Sequence, residues 1–324
     1  VCIIIFCFGC AVAYIIAVGD ILELVNLPTA ISNIGRTNIV VIFFGAVMLP
    51  LSLVDSVNDL RFTSLLGVVS IFYLVISACT HCLNSLIARD WSEATHGVSL
   101  VEPSPAGGLL ALPVMIFAYT CQTNVFSVYD ALQRPSPRRM RKVSQQAIGI
   151  CFFSYLLMGV CGFLDFGSST RPNILQNYMV ELKDKDHQYS AMDIIMTISF
   201  GSVILTVVMA FPLVIFPCRY TMGVLIFDVK HGNMSWWLHC ALTVGLCISA
   251  LVVSIYVPNI STVFSLMGST TSTFVCFVLP AMLILRLVWT GKMQRPSRLE
   301  MGCVFSLAIG GAVLGAASTL LILI

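Results

Sequence analysis

Long uncharged apolar runs alternate with short charged segments along this chain. Val1–Gly19, Thr37–Val54, Phe62–Ala88, Pro103–Tyr129, Val143–Leu164, Ile194–Cys218 and Met301–Ile324 contain no Asp, Glu, Lys or Arg. About 20 apolar residues let a helix cross the hydrocarbon core of a bilayer, so each run predicts one span. Gly232–Leu285 is uncharged over 54 residues, enough for two helices, with Pro258-Asn259 near its middle as a turn signal. The pattern therefore predicts an all-α integral membrane protein of about nine transmembrane helices, residues 1–324 forming a single domain. Continuous apolarity excludes a barrel, whose lipid-facing strands would alternate polar and apolar positions.

Composition agrees with the pattern: 58% of the 324 residues are hydrophobic and 10% are charged, against about a quarter charged in soluble domains. The lipid bilayer is the implied partner, and a net charge of +2 gives no reason to invoke nucleic acid. The distribution of charge is more informative than its sum. If the first span runs outward, the cytoplasmic segments hold twelve of the 17 basic residues, among them Arg134, Arg138, Arg139, Arg141 and Lys142. The outer segments hold five, Arg36, Arg89, Arg171, Lys183 and Lys185. Cytoplasmic loops carry the Lys and Arg excess, which fixes this orientation. The chain opens inside an apolar run with no initiator Met, so an N-terminal part is expected to precede it. The 13 cysteines are scattered through the spans and read as small buried hydrophobes, with no metal, cofactor or disulfide expected.

Polar residues inside the spans are the candidates for chemistry, because unmatched polar groups are costly at mid-bilayer. The fourth run contains Tyr119-Thr120-Cys121-Gln122-Thr123-Asn124. Two readings fit it: a broken helix lining a substrate cavity, or hydrogen-bonding glue between helices. Gly268–Thr273 reads as a close-packing stretch of small hydroxyl residues, and Pro212 and Pro217 predict a kinked sixth span. Asp20, Asp165, Asp193 and Arg219 fall at the ends of the runs, where water would reach them. His81 reads as a hydrogen-bonded interfacial histidine. No enzyme is expected, since an intramembrane acid pair such as Asp20 and Asp165 lacks a Gly-x-Gly-Asp motif.

Five stretches resemble the amino acid/auxin permease family, and within it the sodium-coupled neutral amino acid transporter branch. They are Phe8–Tyr14 running to Gly19-Asp20-Ile21, Phe117–Leu132, Tyr155–Tyr178, Phe211–Arg219 and Phe264–Thr270 leading to Pro280 and Arg286. Their order matches helices three to eleven of an eleven-helix, five-plus-five inverted-repeat transporter. The resemblance implies secondary transport of small amino acid substrates by alternating access, typically as symport, at the plasma membrane or a vacuolar or lysosomal membrane. An amino acid sensor on the same fold is the alternative. It implies substrate contacts from Phe8, Tyr119, Thr120, Cys121, Gln122 and Asn124, with the other half of the site on the two family helices that this chain lacks. Sodium-coupled members carry a Thr shortly before the first proline of the Phe211–Arg219 stretch. Here those positions are Val207, Val208, Met209 and Ala210, with Thr206 and Ser202 farther back. An oxygen-seeking cation gains nothing from Val or Ala, so H+ coupling or none is expected rather than Na+, with Ser202 and Thr206 the residual ion-coupling candidates.

Overall fold

The computed structural model describes residues 2–24, 35–53, 60–88, 105–130, 132–182, 191–228, 234–257, 259–292 and 297–323. Every regular element among them is helical. In chain order these are α1 (Cys2–Leu24), α2 (Arg36–Leu53), α3 (Leu60–Ala88), α4 (Pro105–Ala118), α5 (Val125–Asp130) and α6 (Pro137–Phe166). There follow α7 (Ile174–Leu182), α8 (Ala191–Phe227), α9 (Trp236–Tyr256), α10 (Ile260–Trp289) and α11 (Arg298–Leu323). Eight of the described helices, α1, α2, α3, α6, α8, α9, α10 and α11, are long and apolar enough to cross a membrane. The remaining expected span begins as the shorter α4, whose helix stops at Ala118. Pro258 and the loop cations Arg89, Lys183 and Lys185 lie outside the described residues.

Two compact units share the chain. One comprises Val1–Phe6, Val101–Gln146 and Ser261–Ile324; the other comprises Cys7–Leu100 and Ala147–Ile260. In the second unit α8 packs along α3, and a row of small polar residues makes that seam close. Ser77 and Ser199 meet with their hydroxyls 2.9 Å apart, both buried, while each hydroxyl also bonds the carbonyl four residues back, on Tyr73 and Ile195. Hydroxyls satisfied in this way let membrane helices approach without leaving an unmatched donor in lipid. A core of Ile21, Ala78, Tyr178, Met179, Met196 and Phe200 closes one end of this unit. Outward-facing side chains are large and apolar, as on α6, where Phe152, Phe153, Leu156 and Val160 are exposed. Such a surface is stable against acyl chains and not against water. Helix α8 runs unbroken through Pro212 and Pro217.

In the first unit α4, α10 and α11 pack together, and α4 has an unusual backbone. Pro113 lies inside it and has no N–H, so the carbonyl of Leu109 loses its helical partner. Ser318 of α11, 1% exposed, donates its hydroxyl to that carbonyl at 3.0 Å. Opposite Pro113, α10 widens into two π-helical turns, Gly268–Ser272 and Phe274–Val278. Gly268 is required here: a Cβ at this position would lie 2.9 Å from Pro113 Cα and nearer still to the Pro113 carbonyl.

Candidate functional site

The interruption that begins at Tyr119 is built by local hydrogen bonding. The last turn of α4 leaves carbonyls without helical partners. Tyr119 N–H donates to Met115 O at 3.2 Å, Thr120 N–H to Phe117 O at 3.0 Å, and the Thr120 hydroxyl to Ile116 O at 2.7 Å. Thr120 thus closes the helix end with its side chain. Residues 119–121 are non-helical, Gln122–Asn124 form one 3₁₀ turn, and α5 resumes at Val125. A 14-residue helix rises only about 21 Å, short of the roughly 30 Å hydrocarbon core.

A thiol from α10 ties the two sides of the break. Cys276 Sγ sits 3.5 Å from Thr120 Oγ1 and donates to Gln122 Oε1 at 3.3 Å. On another side, three aromatic rings form a row. Phe117 lies between Phe6, at 5.8 Å between centroids, and Phe264, stacked at 4.7 Å. Tyr119, Thr120 and Gln122 are half-buried and Cys121 is exposed. The segment thus carries hydroxyl, amide and backbone groups close in sequence to the apolar row of rings. The side chain of Asn124 lies outside the described residues.

The family model for the transmembrane amino acid transporter protein matches residues 1–323. The chain belongs to that family. Amino acid transport across a membrane is what unites this transporter family, and it agrees with the multi-pass helical architecture.

For this transporter the candidates Phe8, Ser202 and Thr206 fall in the second unit. Phe8 is a half-buried residue of α1. Ser202 and Thr206 lie one turn apart on α8 with both hydroxyls turned back on their own helix, donating to Ser199 O and Ser202 O at 2.8 Å each. Gly268–Thr273 serves close packing, as its composition suggested, with Gly268, Ser269, Thr271, Ser272 and Thr273 all buried.

One expectation is corrected. Asp20, Asp193 and Arg219 were assigned to span ends within reach of water, yet they are only 4%, 7% and 4% exposed, and the Asp165 side chain only 3%. The charges of Asp20 and Arg219 are met inside the protein. Arg36 Nη2 donates to Asp20 Oδ1 at 2.6 Å and Asn173 Nδ2 to Asp20 Oδ2 at 3.1 Å. Arg219 Nη1 donates to Thr243 Oγ1 at 2.9 Å, to Ser52 O at 3.4 Å and toward His239 Nε2 at 3.0 Å. Ser52 O belongs to the C-terminal turn of α2, where helix carbonyls present negative charge to a cation. Residues expected on the outer side meet one another, as Asp20 meets Arg36 and Asn173, and those expected on the cytoplasmic side do likewise. That is the result the alternation of spans requires.

Proposed function

We propose that the full-length protein carries out secondary active transport of amino acids by alternating access, with the 119–124 segment supplying part of the substrate site. The observation that supports this most directly is the interruption of an apolar span at residues 119–121, closed by Thr120 on itself. Freed backbone groups at a break of this kind are tolerated in a membrane where they line a cavity or find side-chain partners. In this reading Tyr119, Thr120, Cys121, Gln122 and Asn124 face the substrate.

Proton-coupled or uncoupled movement fits better than sodium coupling. Val207–Ala210 present only aliphatic and thioether groups, which offer no oxygen to a hard cation. Either a cell-surface or an acidic-organelle membrane would supply a proton gradient from the outer side inward. The test is uptake of a radiolabelled amino acid panel by the full-length protein in liposomes, with choline replacing sodium and with an imposed pH gradient. Accumulation that persists in choline and is lost in Thr120→Ala and Gln122→Ala is the expected result. Binding without accumulation would overturn transport, and loss of uptake in choline would overturn the coupling.

A further inference from the structure

We propose that His81, Asp165 and Glu181 form a proton-binding latch, loaded from the outer aqueous phase, that ties α3 to α6 and α7. The inference rests on the orientation of the spans and not on the transport reading. All of its parts belong to the second unit.

His81, on α3, has a carboxylate facing each ring nitrogen. Nδ1 is 3.2 Å from Asp165 Oδ2, at the end of α6, and Nε2 is 3.6 Å from Glu181 Oε2, on α7. A neutral imidazole has one N–H, so only one of these contacts could be a donation; the other would set a nitrogen lone pair against an anion. Imidazolium donates from Nδ1 to Asp165 and places its second N–H toward Glu181 at ion-pair distance. This placement of two carboxylates suits the protonated ring.

The remaining groups around the ring reinforce this. Tyr178 packs its ring edge-on to His81 at 5.2 Å and donates its hydroxyl to Asp165 Oδ2 at 2.9 Å. Burial, then the charge and hydrogen bond of Asp165, hold the Tyr178 phenol well above its ordinary range, so Tyr178 remains a donor. Among the described residues Asp165 Oδ1 is buried and has no hydrogen-bond partner at normal geometry, the Cys82 thiol lies beside the same carboxylate, and His81 contacts Oδ2 directly. Asp193 at the start of α8 adds further negative charge facing His81. Arg171 lines the cavity alongside Glu181 as a positive group among the described residues.

Protons have a route in. A cavity of about 310 Å³ borders His81, Asp165, Ser85, Asn177, Arg171 and Glu181, room for about ten waters. With the proton bound, three elements are joined through one ring; without it, α7 has one fewer tie to α3. An element whose position is biased by one charge is the minimum a switch requires.

The test is thermal unfolding of the purified full-length protein in detergent micelles across pH 5 to 8.5, followed by tryptophan fluorescence. The bound proton favours the folded, latched form, so this contribution is present at low pH and is lost as pH rises through the titration of the site. Relative to His81→Gln, the wild-type folded-to-unfolded ratio is expected to gain up to about tenfold per unit fall in pH within that window. His81→Arg, a fixed cation, should hold its stability across the range. Glu181→Gln, at a half-exposed position that should not compromise folding, should weaken the pH slope. Equal slopes in wild type and His81→Gln, or an unchanged slope in Glu181→Gln, would overturn the latch. Should His81→Gln fail to fold, Glu181→Gln decides alone. Because unfolding is read without substrate, failure of transport leaves this test intact.

Discussion

Gly268→Ala should be among the most damaging single-methyl additions in the protein. The added Cβ would lie 2.9 Å from Pro113 Cα, with the Pro113 carbonyl closer still. Carbon atoms rest at about 3.5–4.0 Å, so even the most distant of these three contacts is short by roughly 0.6–1.1 Å. The obstacle is backbone on α4, and no rotamer change can relieve it. Either α4 and α10 separate or the π turn Gly268–Ser272 re-registers, and Thr273 Oγ1, which donates to Gly268 O at 2.7 Å, moves with it. Overpacking of this kind costs about 1–3 kcal/mol, and a rigid obstacle puts it at the upper end. At roughly 2–4 °C per kcal/mol, the melting temperature should fall by about 6–12 °C. The assay is fluorescence-detected size exclusion of the full-length protein after a heating series. Gly310→Ala is the control, because an added Cβ there meets nothing within 4 Å and should be neutral or stabilising. If the two variants melt together, the close approach of α4 and α10 is wrong.

Other outcomes can be checked in the same format. Ser318→Ala leaves the Leu109 carbonyl without its donor and should cost about 1–2 kcal/mol, read as a lower melting temperature, while Ser318→Thr retains the hydroxyl and most of the stability. Arg219→Met removes donors to Thr243 and Ser52 O and should cost about 1.5–3 kcal/mol; Arg219→Lys should recover only part, since a single ammonium cannot reproduce the guanidinium fork. Thr120→Val should reduce uptake more than Thr120→Ser, because serine keeps the hydroxyl that closes α4 on Ile116 O. Cys276→Ala should weaken uptake less than either Thr120→Val or Gln122→Ala, since thiol hydrogen bonds are weak.

Uncharged run length alone located the apolar centres of the described spans, because a helix needs about 20 apolar residues to cross a bilayer. It was less informative about where a span truly ends. The run Ile194–Cys218 stops before Arg219, so the arginine looked terminal; in the structure α8 continues to Phe227, more than two turns farther. The uncharged residues 220–227 beyond Arg219 were the available signal. Its partners His239 and Thr243 sit one turn apart on α9, and only helix packing could bring them to it. The 119–124 segment stood out because polar residues crowd the middle of an apolar run. Cys276, which bridges Thr120 and Gln122, lies more than 150 positions later and resembles every other cysteine in the spans. Likewise His81 reads as an ordinary interfacial histidine until Asp165 and Glu181 are brought to opposite sides of its ring.

The bond from Ser318 to Leu109 has a consequence for how the protein is made. Its two ends are 209 positions apart, and ribosomes add about 5–20 residues per second. The α4 segment, already carrying Pro113, therefore waits roughly 10–40 seconds in the translocon or bilayer before its missing donor is synthesised. Through that interval the Leu109 carbonyl needs water or a provisional partner. Arrival of α11 then completes a helix that was translated long before it.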